Sequence, residues 1–143
     1  MVSVQHRAGL VGIVTEGNIL VMASPSSAAT EVVRAIFKRR GHTVSFAHLD
    51  ISAIDDPDQY DLLILEIDMH DPEGVQQCVR VREVTLAPLL VLVPETARNQ
   101  GIQALMLGAD SFVLLPFDRS ELVARCEALM RRHRQMWFPL RVS

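Results

Sequence analysis

The strongest constraint on this chain is an alternation. From residue 19 onward, short apolar runs give way to longer stretches in which apolar residues recur every three or four positions. The runs are ILVMA (19–23), TVSFA (43–47), LLILEI (62–67), LLVLV (89–93) and SFVL (111–114). The third and fourth are apolar on both faces, as strands covered by helices on either side must be. Strands separated by helical patterns are joined by crossovers, and crossovers build parallel sheets. The expected fold class is α/β: a doubly wound (βα)5 five-stranded parallel sheet with helices on both faces.

The helical segments carry their own stop and start signals. The first follows Ser24, the expected N-cap, and Pro25; Ala28, Ala29, Val32, Val33, Ile36 and Phe37 share a face, and Gly41 stops it. Between 48 and 60, Ile51 and Ile54 have helical spacing, but Pro57 and its neighbouring aspartates leave room only for a short helix. A third helix over 73–83 turns Val75, Cys78 and Val79 inward. A fourth, over 97–107, presents Ile102, Leu105 and Met106 and ends at Gly108. The last opens with Asp118 as N-cap and Glu121 in an acidic capping box, and buries Leu122, Val123, Cys126, Leu129 and Met130. The chain therefore divides into an N-terminal extension (1–18), a folded domain (19–133) and a C-terminal tail (134–143). Within the extension, AGLVGIV fits either a leader or an added edge strand.

Composition narrows the function classes. A length of 143 residues fits one domain, and a net charge of −3 with 22% charged residues is neither a disordered nor a nucleic-acid-binding balance. No apolar run approaches the ~20 residues of a membrane span, so no membrane partner is expected. Cys78 and Cys126 lack any CxxC or Cys/His metal spacing and read as reduced, packed thiols of a cytoplasmic protein. There is no glycine-rich phosphate loop, and His42, His48, His70 and His133 fall on different elements. No nucleophile and base converge, so neither a cofactor nor an enzymatic activity is expected.

In a doubly wound sheet the functional crevice lies at the carboxyl ends of the strands. There LLILEIDMHDPEG places Glu66, followed by Asp68 and Asp71. This segment, with YD before it, resembles the segment around the phosphoacceptor in receiver domains of two-component response regulators. GADSFVLLPFDRSELVARCEALMRR (108–132) is similar to the corresponding part of receivers attached to winged-helix DNA-binding domains. The resemblance covers about 19–132 and implies a flavodoxin-like fold. It also implies an acceptor aspartate after the third strand, acids after the first that hold Mg²⁺, a hydroxyl after the fourth and a lysine after the fifth.

This chain departs from that pattern at each position. The acceptor position is Glu66, and Ala23, Ser24 and Pro25 stand where the metal acids belong. Val93 replaces the hydroxyl, Leu115 the lysine, and Phe112 occupies the aromatic switch position. Phosphoryl transfer depends on positioning and charge neutralisation, so these losses together remove its means. No metal site is expected. Glu66 either imitates part of a phosphoaspartate's charge or is simply an acid tolerated at a strand end. Asp68 reads as a loop acid, and Ser24, Ser26 and Ser27 as caps at a helix N-terminus that could also meet an anion.

The resulting expectation is a degenerate, non-phosphorylated pseudo-receiver that acts as a protein-interaction module in signalling. The alternative is a small-molecule or anion sensor using the emptied crevice. The expected partner is another signalling protein, or a second copy, docked on the face of the helix over 97–107, the strand over 111–114 and the last helix. That face carries Arg98, Asp110, Glu121 and Arg125, with Trp137 in the tail RRHRQMWFPLRVS. Direct DNA binding is not expected from one short basic run.

Overall fold

Side chains alternate sides along a strand, so a strand apolar at every position needs cover on both faces. The computed structural model describes residues 16–24, 27–48, 51–68, 71 and 73–142, with side chains to residue 135. Its strands are β1 (Asn18–Met22), β2 (Thr43–Ala47), β3 (Leu62–Glu66), β4 (Leu89–Pro94) and β5 (Ser111–Leu115). They form one parallel sheet in the order β2-β1-β3-β4-β5. Its helices are α1 (Ala28–Arg39), α2 (Gln76–Val84), α3 (Arg98–Met106) and α4 (Arg119–Val142).

Strand alternation sorts the core into two layers. Leu20, Met22, Leu63, Leu65, Val91 and Val93 face Cys78 and Val81 of α2 and Ala104 of α3. Ile19, Val21, Leu62, Ile64 and Leu92 face Val33 and Phe37 of α1 and Leu122, Cys126 and Met130 of α4. Burial pushes the Cys78 thiol up to about 11 and raises Cys126 further, so both sulfurs are held as packed thiols. No helix among the described residues is long and apolar enough to cross a membrane.

Several elements differ from expectation at their edges. Helix α1 begins three residues later than a Ser24 cap requires, with Ser27 as its N-cap residue. Thr30 is buried in it and Val32 is exposed, because the helix is rotated to set Val33 and Phe37 on the sheet. Between β2 and β3 the described residues hold only a 3₁₀ turn, Ile51–Ala53, where Pro57 and the aspartates limit helix length. In α2, Val81 is fully buried and Val79 only half-buried. The Asp118 cap is present, its Oδ1 accepting the Glu121 N–H at 2.9 Å. The reciprocal half of the box gives way to a Glu121–Arg125 ion pair at 3.2 Å. Helix α4 continues without a break across residue 134.

Two polar clusters tie the layers at the amino ends of the strands. Arg82 donates to the carbonyls of Gly108 (2.7 Å) and Ala87 (2.6 Å) and to the Asp110 carboxylate. Asp110 also accepts the Leu89 N–H at 2.8 Å, so one carboxylate joins α2, β4 and the start of β5. Gly108, at φ +119°, leaves the room that the Arg82 stem fills. On the opposite face Arg40 grips Glu127 through two nitrogens at 2.6 and 2.8 Å, and buried His42 lies 3.2 Å from the same carboxylate. These contacts bind the end of α1 to α4.

Burial alone would raise the Glu127 pKa, but hydrogen bonds from Arg40 and His42 outweigh it and hold the carboxyl below its ordinary value of 4.5. A depressed folded-state pKa contributes stability that is complete above the unfolded value and is lost as pH falls through the folded one. Urea denaturation between pH 6 and 3 should therefore show part of the acid loss below about pH 4.5 disappear in Glu127→Gln. An unchanged slope in that variant would mean the cluster contributes nothing to acid stability.

Candidate functional site

The strand order reverses between β1 and β3, whose carboxyl ends open the crevice. Glu66 ends β3 there, half-buried and in register with Leu92 of β4. The chain then turns sharply. The Asp71 N–H bonds to the Asp68 carbonyl (3.1 Å) and the Gly74 N–H to the Asp71 carbonyl (3.0 Å). Asp71 Oδ1 accepts the Glu73 N–H at 2.9 Å, which makes Asp71 a turn-forming acid. A Cβ on Gly74 would lie 2.9 Å from Ile67 Cγ2 and 3.1 Å from the Asp68 carbonyl, so the turn requires glycine by space. Of the acids in this stretch, Glu73 pairs with Arg80 at 3.2 Å on the surface. His70 and Pro25 lie outside the described residues.

Glu66 has a partner that the sequence marked as a cap able also to meet an anion. Its Oε1 accepts the hydroxyl of Ser27, across the gap from β3 to the start of α1. Ser27 consequently makes no side-chain cap bond to its own helix. The signal in the sequence was faint: three serines after β1, with nothing to say which one faces β3. Ser24 is half-buried, one residue beyond fully buried Ala23.

The remaining crevice positions are apolar walls. Val93 is fully buried in the α2/α3 layer, and half-buried Leu115 packs against the α1/α4 layer. Mg²⁺ takes a near-octahedral set of oxygens, usually including carboxylates. Here Ala23 and Ser24 supply no carboxylate, and Glu66 Oε1 is engaged by Ser27. Among the described residues no three His, Cys, Asp or Glu side chains gather in a metal-holding group. The described residues at these strand ends do not fit the divalent cation that the resemblance implies.

A second candidate lies on the α3–β5–α4 face. A groove of about 400 Å³ is lined by Arg98, Leu105, Asp110, Phe112, Glu121 and Arg125, among others. The structure thus brings together four of the five charged and aromatic residues expected on this face; Trp137 lies on α4 where side chains are not described. Arg125 is tied at 3.2 Å to both Glu121 and Ser111, while Asp110 is committed to Arg82 and the Leu89 N–H. Arg98 is exposed and has no ion-pair partner among the described residues.

The apolar residues of α3 are turned outward: Ile102, Leu105 and Met106 are 51%, 40% and 80% exposed. The helix lies on the sheet through Gly101 and Ala104 instead. Phe112 explains the choice. Its ring occupies the space beside Gly101, where a Cβ would come within 2.5 Å of Cδ1. The aromatic position is filled by a ring pinned under α3, and the larger residues of that helix face water.

Comparison with known proteins places residues 23–127 in a match to the response regulator receiver domain model. Protein RcaC of Microchaete diplosiphon is 40% identical over 83 residues, which are 57% of this chain and 13% of RcaC. The uncharacterized transcriptional regulatory protein YclJ of Bacillus subtilis is 26% identical over 117 residues, 80% of this chain and 52% of YclJ. The chain thus spans about half the length, or less, of these curated relatives. The receiver domain of the Francisella response regulator 1452 superposes with a TM-score of 0.68 at 20% identity, over 81% of this chain and 98% of that one, which shows a shared fold.

The Phe112–Gly101 contact is the steric hinge of the α3 face. Gly101→Ala should cost about 1–3 kcal/mol in denaturant unfolding through overpacking. Combined with Phe112→Ala, which removes the ring, its further cost should fall below ~0.5 kcal/mol. Additive costs would show that the ring is not what the new methyl meets.

Proposed function

The chain belongs to the response regulator receiver domain family, and from that premise we propose that it is a receiver that takes no phosphoryl group. It acts as a protein-interaction module in signal transduction. The proposed domain spans 19–133, between an extension (1–18) and a tail (134–143), and works in the cytoplasm without a cofactor. The observation that carries the reading is the chemistry of the strand ends: Val93 and Leu115 are apolar, and Glu66 is held by Ser27. Transfer of a phosphoryl group needs its equatorial charge neutralised, and no cation or hydroxyl stands at those two positions to do it.

The docking surface is the α3–β5–α4 face. Exposed Ile102, Leu105 and Met106 supply apolar area beside a groove that holds both charge signs. Such a patch suits a partner of mixed charge, including a second copy, whose Arg98 would reach an acid across the interface. Apolar contact supplies the attraction, and the charges select register.

Two measurements test the proposal. Incubation with a small phosphodonor and Mg²⁺ should leave the intact mass unchanged; a stable phosphoryl adduct on Glu66 or a neighbouring acid would overturn the reading. In light scattering across a concentration series, Arg98→Glu with Arg125→Glu should weaken self-association about 10- to 100-fold. A wild-type chain that stays monomeric leaves the face to a different signalling protein. Stabilisation of the wild type by small anions, lost in Ser24→Ala and Glu66→Ala, would instead favour a ligand sensor.

A further inference from the structure

We propose that Ser27 is a positioning residue for Glu66, and that the two side chains form a permanent internal latch between α1 and β3. The inference rests on reading this crevice as one that takes no phosphoryl group, and it assigns what holds the crevice together in the absence of that chemistry.

Three observations converge. Ser27 is the N-cap residue of α1, with the extended backbone (φ −72°, ψ 123°) from which a serine hydroxyl ordinarily accepts an N–H of the first turn. It makes no such bond; the hydroxyl donates to Glu66 Oε1 instead. Thr30, in the same first turn, is only 7% exposed, and its hydroxyl finds no partner. The start of α1 is thus left without side-chain capping from two residues able to provide it. A helix that forgoes its own cap needs another anchor for its first turn.

Glu66 provides that anchor by reach and by charge. It projects from the last residue of β3, next to β1, whose chain leads into α1. Its carboxylate meets the hydroxyl at the N-terminus of α1, where the helix dipole favours an anion. An aspartate is shorter by one methylene, ~1.5 Å of carbon–carbon bond, and would withdraw from the hydroxyl. The glutamate is therefore specified by the distance to Ser27. In this assignment the domain supplies its own fixed anion between α1 and β3, and the crevice has one standing state.

Amide hydrogen exchange of the full chain tests the latch directly. The readout is the ratio of exchange at Val32–Ile36 of α1 to exchange at Leu122–Met130 of α4, because global destabilisation moves both. Ser27→Ala and Glu66→Asp should each raise the ratio about tenfold, and the double variant should raise it no further. Glu66→Gln keeps an oxygen at full reach and loses only the charge, so it should raise the ratio by less than Glu66→Asp does, about threefold. An unchanged ratio in Ser27→Ala, additive effects, or a Glu66→Gln variant as loose as Glu66→Asp would each overturn the latch. The measurement needs no phosphodonor and no partner. A phosphoryl adduct would sink the proposed function while leaving this result to stand or fall by itself.

Discussion

Everything in this molecule follows from sealing the middle of a parallel sheet on both faces. Strands β1, β3 and β4 are buried almost end to end, so their interior positions hold apolar side chains only. In these three strands polar groups are confined to the ends. At the amino ends polar side chains are used structurally, with Arg82 joining three segments and Glu127 joining α1 to α4. At the carboxyl ends Glu66 is bonded to Ser27, beside the apolar Val93 and Leu115.

That division separates the two candidate sites. At the crevice between β1 and β3, Ser27 and Glu66 satisfy one another. The α3–β5–α4 face is the reverse: Gly101 and Ala104 let α3 lie close to the sheet, and the price is an apolar row left in water. On that face the Phe112 ring is pinned beneath Gly101. Crevice and face each have a packing arrangement of their own.

Much of the fold was readable because period and burial are local signals. The five strands fall where the apolar runs put them, within a residue at each end. Helix α4 follows its cap at Asp118 and its buried row from Leu122 to Met130. Readability failed where two faces of a helix were both plausible. In α3 the large residues Ile102, Leu105 and Met106 give the stronger apolar pattern, yet the small ones win because Phe112 fills the space above β5. In α1 the cap falls on Ser27, since rotation of the helix is set by Phe37 and Val33 against the sheet.

The sequence by itself determined the class of fold, the crevice's position and the residue types that stand at its strand ends, because residue identity at a strand end is a matter of composition and order. Glu66, Val93 and Leu115 could be assessed one position at a time. Only the tertiary structure decided what Glu66 touches and which face of α3 meets water. Both depend on distances between elements far apart in the chain: Ser27 to Glu66 spans 39 positions, and no local pattern encodes that separation. Side-chain reach and close packing settle such contacts, and they exist only once the sheet has brought its strands together.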